Sequence, residues 1–191
     1  MKEICFATNN LNKLKEIQSL LSSYKILSLK EIGCEEELPE NQDTLEGNAK
    51  EKALYVYEKY KVACFADDTG LEIAALDGEP GVYSARYAGK QRSSEDNMQL
   101  VLKKLYGNTM RSAQFRTSIC YIDDHEQVLF EGIVKGQITQ HKTGNDGFGY
   151  DPIFQPEGYE ETFAQMNMQE KNKISHRALA VQKLVAYLKR V

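Results

Sequence analysis

The stretch of sequence that decides the fold is Val62-Ala63-Cys64-Phe65-Ala66-Asp67-Asp68-Thr69-Gly70-Leu71-Glu72-Ile73-Ala74-Ala75-Leu76. Its first residues form an apolar run of the length that a buried strand needs. Two carboxylates and a glycine then interrupt the run, which predicts that the strand ends at Asp67-Asp68 and that the chain turns by Gly70. Leu71–Leu76 is apolar again and predicts another strand.

Outside this stretch, the apolar periodicity alternates between strand and helix. On its N-terminal side, we expect a strand–turn–helix unit, a second strand, and a helix with Thr44 as its N-cap. On its C-terminal side, a helix starts near Ser93, and Gln114–Ile122 and Gln127–Lys135 flank a four-residue turn that predicts a hairpin. A glycine-rich loop and a last helix that begins near Ser175 follow.

This order of elements combines βα units with a central hairpin, which favours an α/β fold with a mixed sheet. The chain has 191 residues and no linker-like or repeated segment, so residues 1–191 are expected to form a single domain. With 41% hydrophobic and 27% charged residues, the composition excludes a disordered chain.

Composition and charge also restrict the partners and the compartment. The net charge of −4 disfavours a dedicated nucleic-acid binder, so no stable nucleic-acid partner is expected. No apolar run reaches the roughly 18 residues of a membrane span, and no signal peptide precedes the first strand, so no membrane partner is expected. The four cysteines lack a CxxC spacing and predict reduced core residues in a cytoplasmic protein.

The charges are unevenly distributed along the chain. Glu31–Glu51 contains eight acidic residues and one base, whereas Lys171–Val191 contains six bases and no acid. Two interpretations are open: both segments form solvated surfaces, or one supplies a metal-binding end and the other a phosphate- or base-binding end of a site.

A candidate phosphate site lies where the first strand, Glu3–Thr8, joins the first helix. The joining residues Thr8-Asn9-Asn10-Leu11-Asn12-Lys13 combine a helix N-terminus, whose backbone N–H groups attract anions, with a hydroxyl and an ammonium group. The alternative is an ordinary asparagine-rich cap followed by a surface lysine. The segment does not match the P-loop pattern GxxxxGK[ST].

Asp67 and Asp68 form a candidate cation site. Mg²⁺ is commonly held by one or two carboxylates together with substrate phosphates, and a carboxylate at the same place can act as a general base. Glu40, in the acidic loop, is a candidate partner. The alternative is a turn-forming pair of aspartates. No serine or cysteine nucleophile stands out, so hydrolysis by metal-activated water is preferred over covalent catalysis.

Two further segments are suited to recognition of a base. The glycine-rich loop at residues 144–152 offers close backbone approach and the aromatic faces of Phe148 and Tyr150. Lys171 and the pair His176-Arg177 supply hydrogen-bond donors for acceptors on a purine edge. A self-anchored loop and a solvated basic helix start are the alternatives.

Taken together, these blocks resemble the inosine triphosphate pyrophosphatase (Ham1-like) family of non-standard purine nucleoside triphosphate pyrophosphatases. Five blocks carry the resemblance, in the family's order and over nearly the whole chain: Phe6–Lys13, Phe65–Leu71, Pro80–Tyr87, Gly147–Phe154 and Ile174–Arg177. One departure is notable. Many relatives carry Phe-x-Glu-Asn-Ala before the second helix, whereas this chain has Leu45-Glu46-Gly47-Asn48-Ala49.

The resemblance implies a two-lobed α/β fold, with a long mixed sheet flanked by helices and the active site in the cleft between the lobes. It implies a homodimer that uses Mg²⁺ to hydrolyse ITP, dITP and XTP to the monophosphate and pyrophosphate. A pyrophosphatase for other modified nucleotides and a non-catalytic nucleotide sensor are the alternatives.

The resemblance also assigns roles to individual residues. Asp68 becomes the catalytic base and a metal ligand, with Glu40 as the second metal ligand. The implied substrate contacts are Thr8, Asn9, Asn10, Leu11, Asn12, Lys13, Thr69, Phe148, Gly149, Tyr150, Asp151, Lys171, His176 and Arg177.

Overall fold

The computed structural model describes residues 3–21 and 23–190 and contains both strands and helices. The strands are β1 (Glu3–Phe6), β2 (Lys25–Leu27), β3 (Cys64–Ile73), β4 (Ser112–Ile122), β5 (Gln127–Ile138) and β6 (Phe154–Pro156). The helices are α1 (Leu11–Leu20), α2 (Leu45–Tyr60), α3 (Ser94–Lys104), α4 (Met168–Ile174) and α5 (His176–Leu188).

The strands form one six-stranded mixed sheet in the order β2-β1-β3-β4-β5-β6. β1 is parallel to both of its neighbours, and its register places Ile4 beside Ile26 and Phe6 beside Phe65. β5 and β6 are antiparallel. The α/β class with a mixed sheet flanked by helices is therefore confirmed.

β3 corrects the prediction made for the central stretch. It runs without a break from Cys64 to Ile73, so Asp67 and Asp68 lie inside a strand and not at its end. Gly70 does not form the predicted turn, and the structure requires a glycine there for another reason. A Cβ atom there would lie 2.7 Å from the carbonyl oxygen of Gly81, so the glycine allows a close backbone approach.

The chain divides into two compact units, and the residues of β3 to β5 are shared between them. Unit 1 comprises residues 1–68, 117–132 and 177–191. Its buried apolar residues form two clusters. One joins α1 and α5 to β1 and β3 and includes the stacked rings of Phe6 and Phe65, whose centroids are 4.7 Å apart. The other joins α2 to the same strands through Ala49, Ala53 and Val56.

Unit 2 comprises residues 69–116 and 133–176. One apolar cluster joins α3 to β3, β4 and β6, and it includes Val101, Phe115, Phe154 and Phe163. The aromatic rings of Phe115 and Phe154 meet edge to face, with centroids 4.6 Å apart.

Most local predictions are confirmed. Thr44 and Ser93 cap α2 and α3, because their side-chain oxygens accept the N–H groups of Gly47 and Asp96. The hairpin turn between β4 and β5 and the start of the last helix after Ser175 are also confirmed. Among the described residues, none of the helices is long and apolar enough to cross a membrane.

Candidate active site

The order of the strands indicates where unit 1 can hold a ligand. The chain passes from β1 through α1 to β2 on one side, and through α2 to β3 on the other. In open α/β sheets, ligands bind beyond the carboxyl ends of the strands at such a reversal of strand order. The residues that follow β1 are Thr8–Lys13, and those that follow Phe65, the register partner of Phe6, include Asp67 and Asp68.

The turn after β1 is held together by its own side chains. Asn10 is the N-cap of α1, and its carboxamide oxygen accepts the N–H groups of Asn12 and Lys13 at 3.0 and 3.2 Å. The hydroxyl oxygen of Thr8 accepts the Asn10 N–H at 3.2 Å. The backbone N–H groups of Asn12 and Lys13, which we expected to be available to phosphate, are thus engaged by the cap. Asn9, Leu11 and Asn12 are exposed.

Lys13 is half-buried rather than a free surface lysine, which corrects that alternative. Its ammonium nitrogen lies 2.9 Å from Oδ1 of Asp67, whose side chain has no exposed surface. The other carboxylate oxygen of Asp67 accepts a hydrogen bond from Nε of Arg177 at 3.1 Å. Arg177 in turn pairs with the buried carboxylate of Glu16 on α1. Asp67 therefore anchors two cations, one from α1 and one from α5.

The electrostatics of this group favour an ionised Asp67. Burial alone would raise the pKa of Asp67, but the positive charges of Lys13, Arg177 and Lys52 outweigh it and hold the pKa well below its usual range. The pKa of Arg177 is raised because Glu16 and Asp67 outweigh the effect of burial. The network is thus made of charged and mutually compensating side chains.

Asp68 has a different set of partners. Its Oδ2 atom accepts a hydrogen bond from the side-chain amide of Asn48 at 3.0 Å, and Lys52 lies 3.5 Å from its Oδ1 atom. The same Lys52 ammonium donates to Oε1 of Glu40 at 2.8 Å. Burial raises the pKa of Asp68 despite the attraction of Lys52, so this carboxylate is a stronger base than an ordinary aspartate.

Glu40 and Asp68 fit the donor chemistry of Mg²⁺. One ammonium group contacts both carboxylates, so the two acids lie around one positively charged atom. Magnesium commonly uses one or two carboxylates and completes its shell with water and substrate phosphates. In the part of the chain that the structure describes, no group of three or more acidic, histidine or cysteine side chains forms a cation site by itself. The pair therefore suits an ion that arrives with a polyphosphate.

Unit 2 contains the residues predicted to recognise a base. Lys171 pairs with Asp151 at 2.7 Å, and both side chains are almost completely buried. The same Asp151 oxygen accepts the backbone N–H of Phe148 at 2.8 Å. The Lys171 ammonium also lies 4.9 Å from the centre of the Phe148 ring. Asp151 thus holds both a cation and an aromatic residue in place.

The other predicted contacts in unit 2 have structural partners. The hydroxyl group of Tyr150 donates to the carbonyl of Ser84 at 2.7 Å, and its ring belongs to the core. His176 is buried and stacks on Phe115, with ring centroids 4.5 Å apart. Gly149 has a φ of +64°, which favours glycine, and Thr69 follows Asp68 in β3. Contacts of these four residues with the substrate stay predictions.

Arg177 has partners that the sequence analysis did not predict, and its contact with a base stays a prediction. Its side chain is buried and its guanidinium group donates to Asp67 and Glu16, so the structure gives it an anchoring role beside the phosphate turn. Three residues that the sequence analysis did not assign also belong to the site: Glu16, Asn48 and Lys52. A signal for two of them existed, because Asn48 and Lys52 lie at i and i+4 among the buried alanines of α2.

Two lysines and several buried carboxylates beside the parallel strands β1 and β3 suit a protein that handles polyphosphorylated ligands. Comparison with known proteins makes this class specific. The sequence profile of the Ham1 family matches residues 4–187, and the chain belongs to the Ham1 family. The predicted family resemblance is therefore confirmed.

Relatives and solved structures agree with this assignment. A protein of Flavobacterium psychrophilum named dITP/XTP pyrophosphatase is 56% identical over 188 residues, which cover 98% of this chain and 99% of the relative. A dITP/XTP pyrophosphatase of Porphyromonas gingivalis is 50% identical, with 98% of each chain covered. The structure of the Staphylococcus aureus Ham1 protein matches with a TM-score of 0.90 and 40% identity, covering 98% of both chains. A HAM1 protein from Coxiella burnetii matches with a TM-score of 0.91 and 36% identity over the full length of both chains.

Proposed function

We propose that this chain is a nucleoside triphosphate pyrophosphatase that hydrolyses dITP, XTP and ITP to the monophosphate and pyrophosphate, and so removes non-standard purines from the nucleotide pool. Its similarity to dITP/XTP pyrophosphatases over 98% of the chain supports this substrate class. The observation that carries the reaction type is the pair Asp67-Asp68, which is flanked by the ammonium groups of Lys13 and Lys52.

Asp68 acts as the general base in this proposal. Burial raises its pKa, which makes the ionised carboxylate a better proton acceptor than an exposed aspartate. Asp68 takes a proton from water as the water oxygen bonds to the α-phosphorus. The bond between the α-phosphorus and the bridging oxygen breaks, and pyrophosphate leaves with its charge stabilised by Lys13 and Lys52.

Mg²⁺ is the proposed cofactor, and Glu40 and Asp68 are the residues that would hold it. When bound, it would neutralise phosphate charge and orient the polyphosphate. Both carboxylates already contact the Lys52 ammonium, which keeps them together before a cation arrives.

Residues of unit 2 are proposed to select the base. A 6-oxopurine presents an acceptor where adenine presents an amino donor, and the Lys171 ammonium can only donate. Adenine would place its amino donor against that ammonium group and leave the hydrogen bond to the base unmade, a mismatch worth roughly 1–3 kcal/mol. The Phe148 ring offers a stacking face, and the hydrogen bond from its N–H to Asp151 sets the position of the loop.

The test is a product analysis in ¹⁸O-water. With Mg²⁺ and ITP, dITP or XTP, we expect monophosphate and pyrophosphate in equal amounts, with the label on the monophosphate and no diphosphate intermediate. Label in orthophosphate would show attack at the γ-phosphorus and would overturn the proposal. If the protein bound these nucleotides without any turnover, the alternative of a non-catalytic nucleotide sensor would be favoured. Equal rates of hydrolysis of pyrimidine or canonical triphosphates would contradict the proposed selectivity for non-standard purines.

We also propose that the protein is a cytoplasmic homodimer. All four cysteines are free and buried, as is common in a reducing compartment. In unit 2, Tyr83 and Tyr106 are 54% and 92% exposed, and exposed aromatic residues are enriched at subunit interfaces. Analytical ultracentrifugation at micromolar concentration tests the assembly. A monomer there, or a dimer that is unaffected by Tyr83→Glu and Tyr106→Glu, would contradict this role for the exposed tyrosines.

A further inference from the structure

The acidic segment at residues 36–42, which carries Glu40, lies along one face of α2. Starting from its C-terminal end, Gln42 donates its backbone N–H to the side-chain oxygen of Asn48 at 2.9 Å. Glu40 pairs with Lys52 one helical turn further along, at 2.8 Å. Glu36 contacts Lys59 and Tyr60 at the end of the helix. The loop therefore runs antiparallel to α2 and follows its helical period.

Glu51 contacts the residue that directly follows the predicted metal ligand Glu40. One of its carboxylate oxygens accepts the backbone N–H of Asn41 at 2.8 Å, and the other accepts the Asn41 side-chain amide at 3.1 Å. Asn41 directly follows Glu40, so its N–H belongs to the peptide unit that begins at the Glu40 carbonyl. Fixing this peptide plane restricts the direction in which the Glu40 side chain leaves the backbone.

Gly47 allows the loop to lie this close to the helix. A Cβ atom at this position would come within 2.7 Å of the Cβ of Gln42 and 2.9 Å of the Thr44 hydroxyl. The glycine stands in the block that departs from the pattern of many relatives, where a different residue order precedes the same Asn-Ala pair. The close packing of loop and helix is thus built into the sequence of this chain.

We propose that Glu51 is a positioning residue: by clamping Asn41 to α2, it holds Glu40 in the place where it binds the divalent cation. This inference rests on the proposed function for the identity of the cation, but the clamp itself does not. The hydrogen bonds from Asn41 lower the pKa of Glu51, and the nearby negative charge of Glu40 opposes this shift. The geometric influence of Glu51 on the reaction passes through the peptide that follows Glu40.

The first test measures the clamp without substrate or metal. Hydrogen–deuterium exchange of the Asn41 and Gln42 amides should become roughly tenfold faster in Glu51→Ala, because a charge-assisted hydrogen bond to the loop is lost. Glu51→Gln keeps one acceptor oxygen and should give a smaller increase. Glu58→Ala, which removes an exposed carboxylate from the same helix, is the matched control and should exchange like the wild type.

The second test measures the consequence for the cation. In Glu51→Ala, the Mg²⁺ concentration for half-maximal activity should rise roughly tenfold, because losing a residue that holds a metal ligand weakens metal affinity by about this factor or more. The kcat at saturating Mg²⁺ should stay near the wild-type value. Glu58→Ala should leave both values unchanged. The proposal is overturned if exchange at Asn41 and Gln42 is unaffected, or if exchange accelerates while the Mg²⁺ dependence stays the same. An inactive wild type would instead refute the proposed function, and the exchange experiment would still decide whether the clamp exists.

Discussion

Replacing Asp67 by asparagine tests the anchoring role that the structure gives this residue. Both carboxylate oxygens face N–H donors: Nζ of Lys13 at 2.9 Å and Nε of Arg177 at 3.1 Å. Asparagine has a single acceptor oxygen, so its amino group must face one of these two donors. The substitution also removes one negative charge from a buried group that otherwise contains two cations and Glu16.

The size of the effect follows from burial, because the Asp67 side chain is completely inaccessible to solvent. Removing one partner from a buried ion pair costs about 3–5 kcal/mol, since the remaining charges are left without compensation. For a chain of this size, that corresponds to a fall in melting temperature of about 6–20 °C. Turnover should fall as well, because Lys13 loses the carboxylate that orients its ammonium group.

Thermal and urea unfolding of Asp67→Asn and the wild type give the measurement. Glu3→Gln is the matched control, because the pair between Glu3 and Lys25 has a similar distance of 2.7 Å but is more than half exposed. Its loss should cost less than about 1 kcal/mol. If Asp67→Asn melted within about 2 °C of the wild type, a shift that corresponds to less than about 1 kcal/mol, the buried-anchor reasoning would be refuted.

Three further predictions concern the neighbouring charges. Asp68→Asn should lower kcat by roughly 10²–10⁴, because the general base is lost. It should not lower the melting temperature, because burial disfavours the ionised carboxylate in the folded state. Steady-state kinetics and a melting curve measure the two effects, and wild-type turnover would remove Asp68 from the mechanism. Lys52→Met should reduce kcat by roughly 10²–10³, because it deletes a preorganised positive charge but keeps the length of the stem; an unchanged rate would assign Lys52 to structure alone. The depressed pKa of Asp67 stabilises the fold above the unfolded value of about 4 and loses that contribution as the pH falls toward the folded value. Unfolding free energies between pH 7 and pH 3 should therefore decline less steeply in Asp67→Asn, and parallel curves would contradict this source of acid sensitivity.

Local signals predicted local structure well. The N-caps Thr44 and Ser93 were identifiable because a cap is satisfied by backbone groups within the next helical turn. The seven-residue helix α4 was not predicted, although Asn167 and Glu170 form a capping box at its N-terminus. Its short apolar pattern gave too little periodicity to distinguish a separate helix before α5.

Contacts between residues that are distant in the sequence could not be predicted from local patterns. Gly70 suggested a turn, yet it accommodates the carbonyl of Gly81, a contact that no local pattern encodes. Lys13 follows the turn at which the sequence places it, but its ion pair with Asp67 joins residues far apart in sequence and was not predicted. The sequence placed Arg177 at the base edge, which stays a prediction, and did not predict that its guanidinium group reaches carboxylates on α1 and β3.

The adjacent carboxylates Asp67 and Asp68 show how one strand supplies an anchor and a base. Successive side chains of a strand point to opposite faces of the sheet, so the two acids meet different helices. Asp67 meets Lys13 and Arg177, on the face that packs against α1 and α5, and its pKa is lowered. Asp68 meets Asn48 and Lys52, on the face that packs against α2, and its pKa is raised. Neighbouring acids whose environments separate their pKa values in this way have separate roles. In the proposed mechanism, Asp68 is therefore the proton acceptor, and Asp67, whose pKa is lowered, is the anchor.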